Sequence, residues 1–298
     1  MKNYVKLPIV LSFFGLWIST FFSEESQVYI GFGLIFTFGI LHGSNDLLII
    51  NKLDKKNSKI NYFRPLFLYV LFISIILALN FLVPKSIFLL FILVSGFHFG
   101  EQHLQHLNLN STKVIRYLFY MIYGLVVISM LLFLKKQIVH PIIIDLIHVF
   151  FQLSLFLYLF IFSATCFILM SIYFIITSKL KVQLLFTELF YLVILAVIFN
   201  HSSLIWGFTI YFVIWHSVPS MIHQIQYLYG SFTMFNFIMY CKSALIYWLI
   251  ALIGLFVFYY LFKDLKMFNT LFFSFLSVVT FPHVFVIINM FNSIKKPS

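Results

Sequence analysis

Trp206-Gly207-Phe208-Thr209-Ile210-Tyr211-Phe212-Val213-Ile214-Trp215-His216-Ser217-Val218-Pro219-Ser220-Met221-Ile222-His223 is apolar over a length that crosses a bilayer, yet it carries an imidazole in its interior. A polar ring inside hydrocarbon is costly, so such a residue faces protein, water or a metal and marks a functional path. Three further histidines, His42, His98 and His283, also sit inside apolar runs. Whether these four meet is the central question of the sequence.

The chain has 298 residues, of which 63% are apolar and 9% charged, with a mean hydropathy of +1.07. A soluble domain does not bury so much apolar surface, so the solvent is lipid. Only helices or closed barrels satisfy the backbone there. Barrel strands alternate polar and apolar residues, whereas these runs are apolar on every side. The expected fold is therefore all-α: a polytopic helical bundle in a single domain, residues 1–298. The net charge of +11 does not indicate nucleic acid, because the 19 Lys and Arg lie mostly between apolar runs, where they face anionic lipid. Two cysteines, Cys166 and Cys241, provide neither a disulfide framework nor a thiolate metal motif. Lys2 and Lys6 ahead of an apolar segment resemble a signal peptide. The following Phe21-Phe22-Ser23-Glu24-Glu25 lacks a small-x-small cleavage pattern, so the segment reads as a retained helix.

Apolar runs of about 20 residues predict ten spans: 5–22, 28–50, 64–83, 86–106, 114–134, 148–177, 183–199, 202–222, 242–262 and 268–292. The sixth is long enough to hold an extra interfacial piece. With the N-terminus cytoplasmic, fourteen Lys and Arg fall inside and five outside, which places both termini in the cytoplasm. His42, His98, His216 and His283 then lie on helices that all run inward, 14, 12, 14 and 15 residues after their outer starts. Their depths agree within about 5 Å at the helical rise. Scattered core histidines have no reason to share a level, so the expectation is one site between helices.

Asp46 follows His42 by one helical turn on the same face, and Gln102 follows His98 in the same way. Each reads as a polar group that orients a ligand imidazole or its neighbour. Glu188 is an intramembrane carboxylate near the same depth, placed to bond an imidazole, carry protons or reach the interface. Gly43 and Gly100 permit close approach. Neutral imidazoles suit Fe(II), Zn(II), Cu(II) or Ni(II). Four of them close a tetrahedral zinc site, whereas iron accepts further ligands and so leaves room for O₂. His103 and His106 extend the fourth span toward the histidine boxes of membrane desaturases, but those boxes include a His-His pair and this sequence has none. His140, His148 and His201 fall near the outer side.

Taken together, Leu41-His42-Gly43-x-x-Asp46, Phe97-His98-Phe99-Gly100, Gly207-Phe208-x-x-Tyr211-Phe212-x-x-Trp215-His216-Ser217 and Pro282-His283 resemble the Brp/Blh family of bacterial and archaeal β-carotene 15,15′-dioxygenases. The resemblance follows motif order along nearly the whole chain. It implies non-haem Fe(II) held by histidines, central cleavage of β-carotene by O₂ into two molecules of all-trans-retinal, a multi-pass position in a bacterial plasma membrane, and a link to a retinal-binding rhodopsin. His42, His98 and His216 match the family's ligand histidines. Many members carry a second histidine four residues after the Trp-His-Ser histidine, and here that position is Ser220. The fourth ligand is then His283 or His223. His223 lies about 10 Å of rise beyond His216, so His283 is better placed. Two other classes compete with the enzyme: a transporter or proton relay along His42, Asp46, His98 and Glu188, and a carotenoid or retinal binder without catalysis. No inverted repeat supports the transporter.

The topology yields the first test. Reporters fused at the N-terminus, in the 51–63 loop and at the C-terminus should all report from the cytoplasm. An external C-terminus means an odd number of spans and removes the shared depth of the four histidines.

Overall fold

The computed structural model describes residues 6–54, 63–107, 109–177, 179–261 and 265–295. Lys2, Lys55, Lys56, Lys59, Lys263 and Lys296, which carry part of the charge asymmetry, lie outside the described residues. Among those described there is no strand, and 88% of them are helical. The helices are α1 (Lys6–Ser19), α2 (Glu24–Leu53), α3 (Phe63–Leu82), α4 (Pro84–Leu104), α5 (Lys113–Leu134), α6 (Lys136–Ile147), α7 (Ser154–Ile176), α8 (Val182–His201), α9 (Leu204–Tyr229), α10 (Met234–Leu261) and α11 (Leu265–Lys295). Nine of them are long and apolar enough to cross a membrane, as a polytopic helical membrane protein requires.

All ten expected segments are helical, with two differences. The first helix has only 14 residues, about 21 Å of rise against a hydrocarbon core of about 30 Å. It stops where Ser19 and Thr20 turn their hydroxyls back onto the carbonyls of Leu16 and Trp17, both at 2.7 Å, a local bond that competes with helix propagation. The sixth span begins later than expected, at Ser154. Ahead of it lies the 12-residue α6, which contains Pro141 and ends at His148 in the left-handed region, φ 54°. Elsewhere the ends follow capping chemistry. Ser23, Thr112 and Ser203 accept from the amides of Ser26, Ile115 and Trp206, and Gly230 ends α9 at φ 87°.

Two stretches depart from α geometry. Residues Ile35–Gly39 in α2 and Ile210–Ser217 in α9 are π-helical. The first precedes His42 by one turn, and the second contains His216. Single π segments inside α-helices recur at functional sites. In α9 the π segment ends just before Pro219, which has no N–H to offer the carbonyl four residues back.

The chain divides into two compact units. The first comprises residues 1–35 and 92–216. In it α5 packs along α7 and α8, and the start of α2 lies on the start of α9. Phe119 stacks on Phe167 at 5.5 Å and meets Phe174 edge-on at 5.0 Å, while the Ser129 and Ser163 hydroxyls bond at 2.9 Å. The indole N–H groups of Trp206 and Trp215 reach α1, donating to the Gly15 carbonyl at 3.0 Å and to Ser12 Oγ at 2.8 Å. The second unit comprises residues 36–91 and 217–298. There α11 packs on α3 and on the end of α2 around Ile49, Val286, Ile287, Met290 and Phe291. Lys52 Nζ donates to the carbonyls of Tyr227 and Leu228 at 2.6 and 2.9 Å, serving orphan carbonyls at the end of α9. Phe67 and Leu71 of α3 and Leu245 and Ile246 of α10 are exposed apolar residues, suited to lipid.

Within the first unit, α4 and α5 approach through glycine. A Cβ on Gly100 would collide with the backbone carbonyl of Tyr120, and one on Gly124 with that of Gly96. The spacing Gly96-x-x-x-Gly100 is the small-residue pattern that lets membrane helices touch backbone to backbone. Gly100→Ala and Gly124→Ala should therefore destabilise by more than the about 1–3 kcal/mol of ordinary overpacking, since a carbonyl cannot rotate away. Gly33→Ala, with open space around it, is the control. Thermal unfolding in detergent checks this, and equal melting of all three variants would refute the close crossing.

Candidate functional site

Each unit buries a pair of histidines. In the first, His98 of α4 and His216 of α9 meet with ring centroids 4.6 Å apart at 76°. Phe99 stands edge-on to His216 at 4.7 Å, and Phe212 stacks on it at 5.5 Å. Both imidazoles are 2% exposed. Residues 212 and 216, four apart, stay on one wall of the helix.

In the second unit, His42 of α2 and His283 of α11 meet edge-to-face at 4.8 Å and 90°. The π turn Ile35–Gly39 leads directly into the helical turn that carries His42. Asp46 Oδ1 lies 2.8 Å from His283 Nδ1, and Tyr69 donates its phenol to Asp46 Oδ2 at 2.8 Å. Gly43 lies beside this pair, and a Cβ there would stand 3.6 Å from His283 Nδ1, ordinary contact distance. Tyr240, fully buried, donates to Gln224 Oε1 at 2.8 Å, and its hydroxyl lies 3.2 Å from the His42 carbonyl. Asn45 Nδ2 donates to the Tyr240 carbonyl at 3.0 Å. Ser220, where the resemblance leads one to expect histidine, is buried and accepts from Gln224 Nε2 at 3.1 Å. His223 is half-buried, its ring edge-on to Phe291 at 6.1 Å.

Glu188 is buried as expected, but its partner is His103, with Nε2 and Oε2 2.7 Å apart. His103 stacks on Tyr123 at 4.8 Å and is flanked by Tyr191 and Trp215. Gln102 is buried, and so is Glu101, to which sequence reasoning gave no role. A carboxylate inside an apolar span was the available signal for Glu101. Nothing in the sequence singled out Tyr69, Tyr240 or Gln224. His140 bonds the Phe151 carbonyl at 2.7 Å.

The model of the family described as beta-carotene 15,15'-dioxygenase matches residues 33–291. The chain belongs to this family. No curated protein and no solved structure matches it. The matched stretch holds both histidine pairs, Asp46, Tyr69, Gln102 and Glu188, and leaves out α1. Membership supports a carotenoid dioxygenase, and the donor set agrees with a metal protein. His42, His98 and His283 are buried imidazoles of the kind that can hold a metal ion. A carboxylate on Nδ1 of His283 is the partner that a metal-binding histidine receives in many sites.

The His103–Glu188 contact carries its own test. Removing one member leaves a polar group in an apolar interior, so Glu188→Ala should lower stability by about 3 kcal/mol. The double variant with His103→Ala should lose little more than either single change. Strictly additive melting shifts in this cycle would show that the contact contributes nothing.

Proposed function

We propose that this chain is a non-haem Fe(II)-dependent dioxygenase that cleaves β-carotene at its 15,15′ double bond with O₂, giving two molecules of all-trans-retinal. Family membership over residues 33–291 supports the reaction class. The observation that carries the metal reading is the pairing of buried imidazoles, one of them held by a buried carboxylate. On this reading His42, His98, His216 and His283 hold one iron and the whole chain works as a single carotenoid-dioxygenase domain. His283 is preferred over His223 because it pairs with His42 and bonds Asp46, whereas the ring contact of His223 is with Phe291.

Fe(II) bound by neutral imidazoles supplies the one-electron chemistry through which O₂ reacts with a conjugated double bond. The reaction balances without a reductant: one C=C bond and one O₂ become two C=O bonds. The protein's contribution is therefore positioning and exclusion of water. Asp46 fixes His283, and Phe99 and Phe212 wall His216 with apolar surface. Glu188 and Gln102 act behind the ligands, Glu188 through His103. The substrate reaches the protein from membrane lipid, in a multi-pass position in the plasma membrane, and the retinal formed suits a rhodopsin.

Expression in carotene-producing cells should bleach them and accumulate retinal, and purified protein should carry about one iron per chain. His42→Ala, His98→Ala, His216→Ala and His283→Ala should each lose most of the iron, since even outer-shell changes cost roughly 10–100-fold in metal affinity. His223→Ala should keep both iron and activity. An active His283→Ala beside a dead His223→Ala would move the fourth ligand beyond Pro219. Tight carotenoid binding without retinal would identify a binder instead.

A further inference from the structure

We propose that Tyr69 and Asp46 are positioning residues that set the tautomer of His283, holding its proton on Nδ1 so that Nε2 is the metal-binding nitrogen. This deepens the metal reading above and rests on it.

Asp46 is 2% exposed, in an apolar interior where an ionised carboxylate is tolerated only with donors on its oxygens. Both oxygens have one: Nδ1 of His283 on Oδ1 and the phenol of Tyr69 on Oδ2, each at 2.8 Å. Asp46 also opens the helical segment Asp46–Leu53, whose N-terminal end favours a negative charge. An ionised carboxylate only accepts, so the proton in the Asp46–His283 bond belongs to the ring. A neutral imidazole with its proton on Nδ1 carries its lone pair on Nε2. Tyr69 makes the arrangement one-sided. Its phenol donates to Oδ2 while His283 Nδ1 lies on Oδ1, so each oxygen has its own partner.

Tyr69 itself stands out on α3. Its neighbours Phe67, Leu68, Val70 and Leu71 are 44–58% exposed, whereas Tyr69 is half-buried and turned onto Asp46. Gly43 lies against the same ring, its position facing Nδ1 and Cγ of His283.

The test separates this device from the metal itself. Protein labelled with ¹⁵N-histidine is stripped of metal by chelation in nanodiscs, and the His283 nitrogens are assigned by their loss in His283→Gln. In the metal-free parent protein His283 should be almost wholly in the Nδ1–H form. Asp46→Asn should abolish that preference, and Tyr69→Phe should convert it to a mixture while the other histidines keep their signals. Iron titrations should then weaken about 10-fold for Tyr69→Phe and 10–100-fold for Asp46→Asn. A parent protein whose His283 is protonated on Nε2, or a Tyr69→Phe variant with unaltered tautomer and iron affinity, overturns the proposal. If the tautomer behaves as stated but no variant or parent binds iron, the positioning stands and the metal reading is what fails.

Discussion

An ionisable side chain inside hydrocarbon needs its partner within the chain, and that constraint organises both units. Each contains one buried pair of imidazoles and one buried carboxylate bonded to an imidazole: Asp46 with His283 in one, Glu188 with His103 in the other. The two carboxylates differ in what they hold. His283 is itself a member of a histidine pair, so Asp46 acts on the candidate ligand directly. His103 is packed among Tyr123, Tyr191 and Trp215, so Glu188 steadies an aromatic wall next to the residue that precedes His216. The same chemistry steadies a paired histidine in one unit and an aromatic wall in the other.

The backbone departs from regularity where the histidines need it. A π turn adds a residue to one helical turn and changes which side chains share a face. In α2 it comes just before His42, and the Phe36 carbonyl within it is taken by the indole N–H of Trp248 at 2.9 Å, so the irregular backbone stays satisfied in an interior without water. In α9 the π segment carries Phe212 and His216 together. The glycine crossing of α4 and α5 does the opposite work. It brings regular helices to backbone contact beside His98, leaving that imidazole on a wall that is difficult to displace.

Much of this was legible in the sequence, and the limit is physical. Hydropathy locates a residue along a span, so the ten helical segments and the four intramembrane histidines could be read from apolar runs and spacing. Rotation about the helix axis is another matter. A span apolar on all sides offers no polar face to fix that rotation, so Glu188 could be placed in depth but its bond to His103 could not be foreseen. Tyr69 was one of 17 tyrosines with no distinguishing neighbour. The π segments have no compositional mark beyond Pro219 after the second. The short first helix was hidden because Ser19 and Thr20 end it by local hydroxyl bonds that hydropathy averages away.

Ser220 shows how a lost imidazole can leave an ordered interior. A histidine replaced by a small side chain threatens a cavity with stranded polar groups, which is destabilising on both counts. Here Gln224 reaches back to Ser220, and its carbonyl oxygen accepts from the fully buried Tyr240. Tyr240 is tied in turn to Asn45 and stands at the carbonyl of His42. The result is a neutral, hydrogen-bonded column behind His42 with no ring nitrogen in it. The imidazole packed against His42 is that of His283, with ring centroids 4.8 Å apart, and its Nδ1 is bonded to Asp46. In this chain the amide and phenol network gives rigidity where the family resemblance suggests a ligand, and on the reading proposed above the carboxylate-backed histidine of α11 takes that ligand's place.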